Sequence, residues 1–265
     1  MLDNKVAVVF AASGAIAGQA ARSFADAGAH VFVSARRADA VHTLAKEINA
    51  AGGKAEATVV DAQNETEVDQ YLDQIFAAHG RVDVVFNGIG RDPDKMGYAV
   101  PSTLLSFEQF MEPMEAMVGS QFITSRIAAG KMVAHGKPGT ILLLTASLSR
   151  IKAPCMAGIT AACAAIEGLT RSLAGEFGMH GIRVQCLNAT ALQETPTIQK
   201  TSAAQARLLN IPAEAMREQM QQGFLLGRGP SLEDVGRAAV LLVSDAGVVF
   251  NSHIVDVDCG NAGVI

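Results

Sequence analysis

Seven short β-branched runs recur along the chain with segments of helical period between them, and this alternation limits the fold more than any other feature. The runs lie near Val6 to Phe10, His30 to Ser34, Ala55 to Val60, Val82 to Phe86, Thr140 to Leu144, Arg183 to Leu187 and His253 to Val257. The first four are apolar nearly throughout, the pattern of strands covered on both faces. Gly28, Gly52-Gly53 and Gly80 punctuate the ends of the helices between them. Alternation of this kind predicts an α/β chain built on a doubly wound parallel sheet of about seven strands, with helices on both faces.

A chain of 265 residues, 49% of them hydrophobic, suffices for one domain. At that size folding removes roughly three quarters of the unfolded chain's surface from water. No shift of composition marks a boundary, so residues 1–265 are parsed as a single domain. The 21 basic and 26 acidic residues are interspersed with a net charge of -5, which leaves no basic stripe for a nucleic acid. Cys155, Cys163, Cys186 and Cys259 form no C-x-x-C pair and no histidine stands at metal-ligand spacing, so buried thiols and no metal are expected. Met1 to Lys5 followed by Val6 to Gly18 has the outline of a signal peptide. Asp3 offsets Lys5, however, and Ser13-Gly14 break the apolar run. No other stretch reaches the roughly 20 apolar residues of a membrane span. A cytoplasmic protein without membrane contact is the expectation.

Two stretches interrupt the rhythm, Arg91 to Ser106 after the fourth run and Ala189 to Pro212 after the sixth. Both follow strand carboxyl ends, where open α/β sheets bind ligands. Segments 91–106 and 189–224 are therefore read as substrate walls, with Glu214 to Phe224 as a short helical lid. A mobile surface insertion is the alternative.

Several blocks together resemble the short-chain dehydrogenases/reductases across essentially the whole chain. Gly168-Leu169-Thr170-Arg171-Ser172-Leu173-Ala174, then Glu176 and Gly181-Ile182-Arg183-Val184, resemble a helix running into the sixth strand of that family. Leu226-Gly227-Arg228, Leu232-Glu233-Asp234-Val235 and Val255 to Gly260 resemble its last helix and strand. The resemblance implies a Rossmann-type sheet, a nicotinamide cofactor, a small-molecule substrate and assembly as dimers or tetramers.

The family's T-G-x-x-x-G-x-G turn, which carries the cofactor pyrophosphate, matches Phe10-Ala11-Ala12-Ser13-Gly14-Ala15-Ile16-Ala17. All three family glycines are alanine here. Their Cβ atoms crowd the phosphates and penalise a left-handed backbone, so the alternative is a strand-turn-helix that no longer binds a nucleotide. After the second strand, Ala35 stands where NAD users place an acid, and Arg36 with Arg37 behind it resembles the NADP users. A guanidinium there can clamp a 2′-phosphate, which an acid would repel. Asp61, followed by Ala62, matches the position that contacts the adenine amine, and Asn87-Gly88-Ile89-Gly90 is similar to the family's N-N-A-G turn. NADP(H) is expected over NAD(H), against the alternative that Arg36-Arg37 are solvated charges ahead of a helix.

The resemblance sets the Asn-Ser-Tyr-Lys tetrad at Met117, Ala146, Ile159 and Cys163, and none of the four can carry out its proton chemistry. The tyrosines are Tyr71 and Tyr98, so no shift of a few places supplies a Tyr and Lys four apart. Ile159 and Cys163, at i and i+4, share one helix face and present an apolar wall. Tyr98, Ser147, Ile159 and Thr190 are the expected substrate-pocket residues, with Thr145, Ser149 and Thr160 nearby. His135, His180 and His253 are expected as surface caps. Three readings stay open: an atypical NADP(H) oxidoreductase, a lyase, isomerase or cyclase on the same scaffold, and a catalytically silent binding subunit.

Overall fold

The computed structural model describes residues 1–261 and places seven strands in one parallel sheet. Their order is β3-β2-β1-β4-β5-β6-β7, with β1 Val6–Phe10, β2 His30–Ala35, β3 Lys54–Val59, β4 Val84–Asn87, β5 Thr140–Thr145, β6 Arg183–Ala189 and β7 Ile254–Val257. The expected Rossmann-type doubly wound sheet is the observed one. Strand alternation divides the core between its faces. Ala7 and Val9 meet Phe24 of α1 (Ala15–Asp26), Leu44 of α2 (Ala38–Ala50) and Val235 of α9 (Leu232–Val243). Val8 and Phe10 meet Leu72 of α3 (Glu65–His79), Met132 of α5 (Ser120–Ala134) and Ile166 of α6 (Ala157–Phe177). Burial of each such side chain stabilises the fold by about 1.5–3 kcal/mol.

Two expectations need correction. β3 is not covered on both faces: Lys54, Glu56 and Val59 are exposed, because β3 is an edge strand paired only to β2. Residues 189–212 are not one long loop either. Ala189 closes β6, and Pro196–Leu208 form a helix, α7, with Thr195 accepting from the Ile198 N–H at 3.3 Å and Pro196 in the first turn. The anticipated lid is a separate helix, α8 (Ala213–Gln222). Segment 91–106 carries neither helix nor strand and runs into α4 (Phe107–Pro113), which starts at a Ser106–Gln109 capping box.

The chain reverses its direction of sheet growth between β1 and β4, and this opens a crevice at the carboxyl ends of the strands. Among the described residues no helix is long and apolar enough to cross a membrane.

Candidate functional site

A cavity of about 720 Å³ occupies that crevice. At one end it is lined by the turn after β1: Ala11, Ser13, Gly14, Ala15 and Ile16. Gly14 caps α1 without a side-chain hydrogen bond, and no acid stands in the first helical turn. The free N–H groups and positive dipole end of α1 therefore face an anion-sized space. Ala11 adopts the left-handed φ of 56° that the family's glycine would supply freely, at a cost of about 1–2 kcal/mol. Ala17 behaves differently from its neighbours. It is fully buried and packs on Gly88, where an added Cβ would fall 2.8 Å from the Ala17 Cβ. The expected crowding by Ala17 thus falls on the core: glycine has moved to the facing position, and close approach of helix and strand is kept.

Beyond the turn, Arg36, Arg37, Asp61 and Ala62 line the same cavity. Arg37 donates to the Ser13 carbonyl at 3.1 Å, and the Arg36 guanidinium stands 3.9 Å from the Asp61 carboxylate. Gly88 and Ile89 line the floor, but Asn87 does not. Its side chain is buried, donating to Thr124 Oγ1 at 3.1 Å and accepting from the Ile89 N–H at 3.0 Å, so it shapes the turn from behind.

The far end is apolar. Met117, Ala146 and Ile159 line it with Met96, Tyr98 and Leu148. Cys163 lies one helical turn behind Ile159, fully buried, and burial pushes its thiol upward. Met117 sits in a π-helical turn, Met114–Gly119, a geometry frequent at functional sites. Burial raises the Tyr98 phenol to about 12, so it keeps its proton at neutral pH. Ser147 and Thr190 are not cavity-lining. Their hydroxyls bond each other, and the Asn188 amide donates to Ser147 Oγ at 2.9 Å and to Asp256 at 2.7 Å. Arg150 in turn contacts both Asp256 oxygens at 2.7 Å, which completes a polar network behind the wall. Their neighbour Thr145 does line the cavity.

The segment expected as a substrate wall after β6 does line the cavity, through the helix α7, although the sequence singles out none of the residues that α7 contributes. Thr195, Lys200 and Thr201 line the cavity from that side, and the Thr195-Pro196 helix start was the available signal. Lys200 Nζ pairs with Asp92 at 2.5 Å and Asp94 at 2.6 Å, a latch between α7 and segment 91–106. Mutual hydrogen bonding lowers the Asp92 carboxyl and raises the Lys200 amine from their ordinary values.

A doubly wound sheet with one deep, cation-ended cavity over its reversal point defines a Rossmann-type dinucleotide-fold protein. Within that class the chain belongs to the short-chain dehydrogenase/reductase family, whose model described as Enoyl-(Acyl carrier protein) reductase matches residues 10–262. It is 29% identical to 7alpha-hydroxysteroid dehydrogenase of Escherichia coli (strain K12), over 98% of this chain and 94% of that protein. It is likewise 29% identical to (+)-cis,trans-nepetalactol synthase NEPS1 of Nepeta racemosa, over 98% of this chain and 91% of that protein. Among solved structures, sorbitol-6-phosphate 2-dehydrogenase SrlD from Erwinia amylovora superposes with a TM-score of 0.89 at 25% identity, covering 98% of this chain and 99% of that one.

Proposed function

We propose that this chain binds NADP(H) along the cavity and acts on a small, largely apolar molecule as an oxidoreductase without the family's proton-relay tetrad. The observation that carries the reading is the polarity of one continuous cavity, with Arg36 and Arg37 at one end and Met117, Ala146 and Ile159 at the other. The residues present fit the dinucleotide: the uncapped start of α1 suits a pyrophosphate, the two guanidiniums suit a 2′-phosphate, and Asp61 suits the adenine amine. Bound there, the cofactor supplies a hydride donor or acceptor.

The chain's own side chains then divide the remaining work. Met117, Ala146 and Ile159 line that end with apolar surface and offer no proton. Tyr98, Thr145 and Thr201 are cavity-lining residues whose hydroxyls can donate a hydrogen bond to a substrate oxygen, Thr145 in exchange for its bond to the Cys163 carbonyl. A carbonyl substrate would take its proton from Tyr98, from water or from within itself, so turnover on ordinary ketones is expected to be very slow. Titration of NADPH fluorescence against NADH, followed by turnover on generic ketones and secondary alcohols, tests the reading. Equal affinity for both cofactors, or none for either, would remove it.

The relative named a synthase favours a second reading, a cyclisation or isomerisation on the same scaffold. Product formed while NADPH absorbance stays constant would select it. We extend to this chain the family's assembly as dimers or tetramers, to be checked by light scattering.

A further inference from the structure

At the amino ends of the strands, away from the cavity, a second group of chemistry-bearing side chains converges. His30 opens β2, Glu56 lies on β3 and His79 is the last residue of α3. In the sheet register His30 faces Lys54 and Phe32 faces Glu56. Alternation along both strands then puts His30, Phe32 and Glu56 on one face, the face on which Phe32 shares a core with Ile75 and Phe76 of α3. The Nε2 of His30 is 3.0 Å from a Glu56 carboxylate oxygen, and one ligand atom from each of His30, Glu56 and His79 lies within 4.8 Å of the others. Packing fixes the rings. The Phe32 ring lies 4.6 Å from His30 and 5.0 Å from His79, and the two imidazoles meet edge to face at 5.2 Å.

We infer that His30, Glu56 and His79 form a binding site for a divalent transition metal of the zinc class. Two imidazole nitrogens and one carboxylate oxygen are donors that zinc takes at about 2.0–2.2 Å, with a fourth tetrahedral position left for water. Atoms sharing such an ion stand roughly 3.4 Å apart. The His30–Glu56 pair is already close to that spacing, and the exposed Glu56 side chain is free to adjust. A metal needs neutral imidazoles. Burial, with smaller contributions from His79 and Lys54, lowers His30 from its usual value against the opposing pull of Glu56. Lys54 is the group that opposes a cation here. The ion would tie β2, the edge strand β3 and the end of α3 together, and mass action would then stabilise the fold.

The test uses the full chain stripped with a chelator. Zinc is titrated calorimetrically at neutral pH, and cobalt(II) is followed by its absorption spectrum. The expected result is saturable uptake of one ion per chain, a raised Tm, and a cobalt spectrum without thiolate charge-transfer bands. His79→Ala and the surface change Glu56→Gln should each weaken binding by roughly tenfold or more. Lys54→Ala should tighten it. Equal affinity in parent and both weakening variants, thiolate bands pointing to the cysteines, or no saturable uptake would each overturn the site.

Discussion

The two ends of the cavity contrast in what holds their side chains. At the cationic end Arg36, Arg37 and Asp61 project from strand ends into solvent-reached space, with Arg36 only loosely paired to Asp61 and Arg37 reaching the Ser13 carbonyl. At the other end Met96, Met156, Ile159 and Cys163 form a packed apolar cluster with Tyr98 against it. Special backbone geometry marks both: a left-handed residue after β1 at Ala11, and a π turn at Met117. Under the proposed reading, binding and chemistry are separable here. A scaffold can keep the geometry of a site while the groups that move protons are replaced by groups that pack.

The largest effect should come from erasing that contrast. The parent is expected to show no ketone reduction above background. Combined Met117→Asn, Ala146→Ser, Ile159→Tyr and Cys163→Lys should raise the NADPH-dependent rate by about 10²–10⁴-fold, the usual contribution of positioned proton transfer. Robust parent activity, abolished by Tyr98→Phe, would instead show that the apolar end holds a proton donor after all. On the charged side, Arg36→Ala should cost about 1.5–3 kcal/mol of NADPH affinity, roughly 10- to 100-fold, and leave NADH nearly unchanged. Paired titrations of the two cofactors measure this, and an equal loss for both would mean that Arg36 does not read the 2′-phosphate.

Smaller effects probe the turn between the ends. Ala11→Gly should relieve the left-handed strain and stabilise the fold by about 1 kcal/mol, a rise of about 2–4 °C in Tm by calorimetry. An unchanged Tm would mean that the backbone there relaxes at no cost. Smallest of all, Ala15→Gly should tighten NADPH slightly, because Ala15 faces the cavity. Ala17→Gly should leave affinity unchanged and destabilise by about 1 kcal/mol, because its methyl fills space against Gly88. Reversed behaviour of the two alanines would put the phosphate path on the wrong side of α1.

Most of the fold is readable in the chain because β-branched runs and helical periods speak for themselves, as in Val6–Phe10 and Thr140–Thr145. The misses share a physical cause, since each depends on a partner distant in sequence. β3 reads as a covered strand until its position at the sheet edge is known. The direction of the Ala17 methyl is set by Gly88, and the hydroxyls of Ser147 and Thr190 pair with each other, Ser147 also accepting from Asn188, rather than facing the cavity. His30, Glu56 and His79 stand far apart in the chain and have no common motif, so only the pairing of β2 with β3 and the seating of α3 bring them together. Counting from matched blocks located the cavity-lining Met117, Ala146 and Ile159, because those positions lie on regular elements at fixed distance from matched residues.

The Lys200 contacts with Asp92 and Asp94 join two walls of the cavity through exposed charges. Such charges feel the ionic medium, whose screening length falls from about 8 Å at physiological ionic strength to about 3 Å in molar salt. Residence time in the cavity should therefore shorten as salt rises, even where the contacts to the ligand itself are apolar and indifferent to it. Stopped-flow dissociation of an apolar ligand in low and high salt would register this as a rate that depends on ionic strength in the parent and is flat in Lys200→Ala. Escape from the pocket would then be set by the electrolyte around the protein as much as by the fit of whatever it holds.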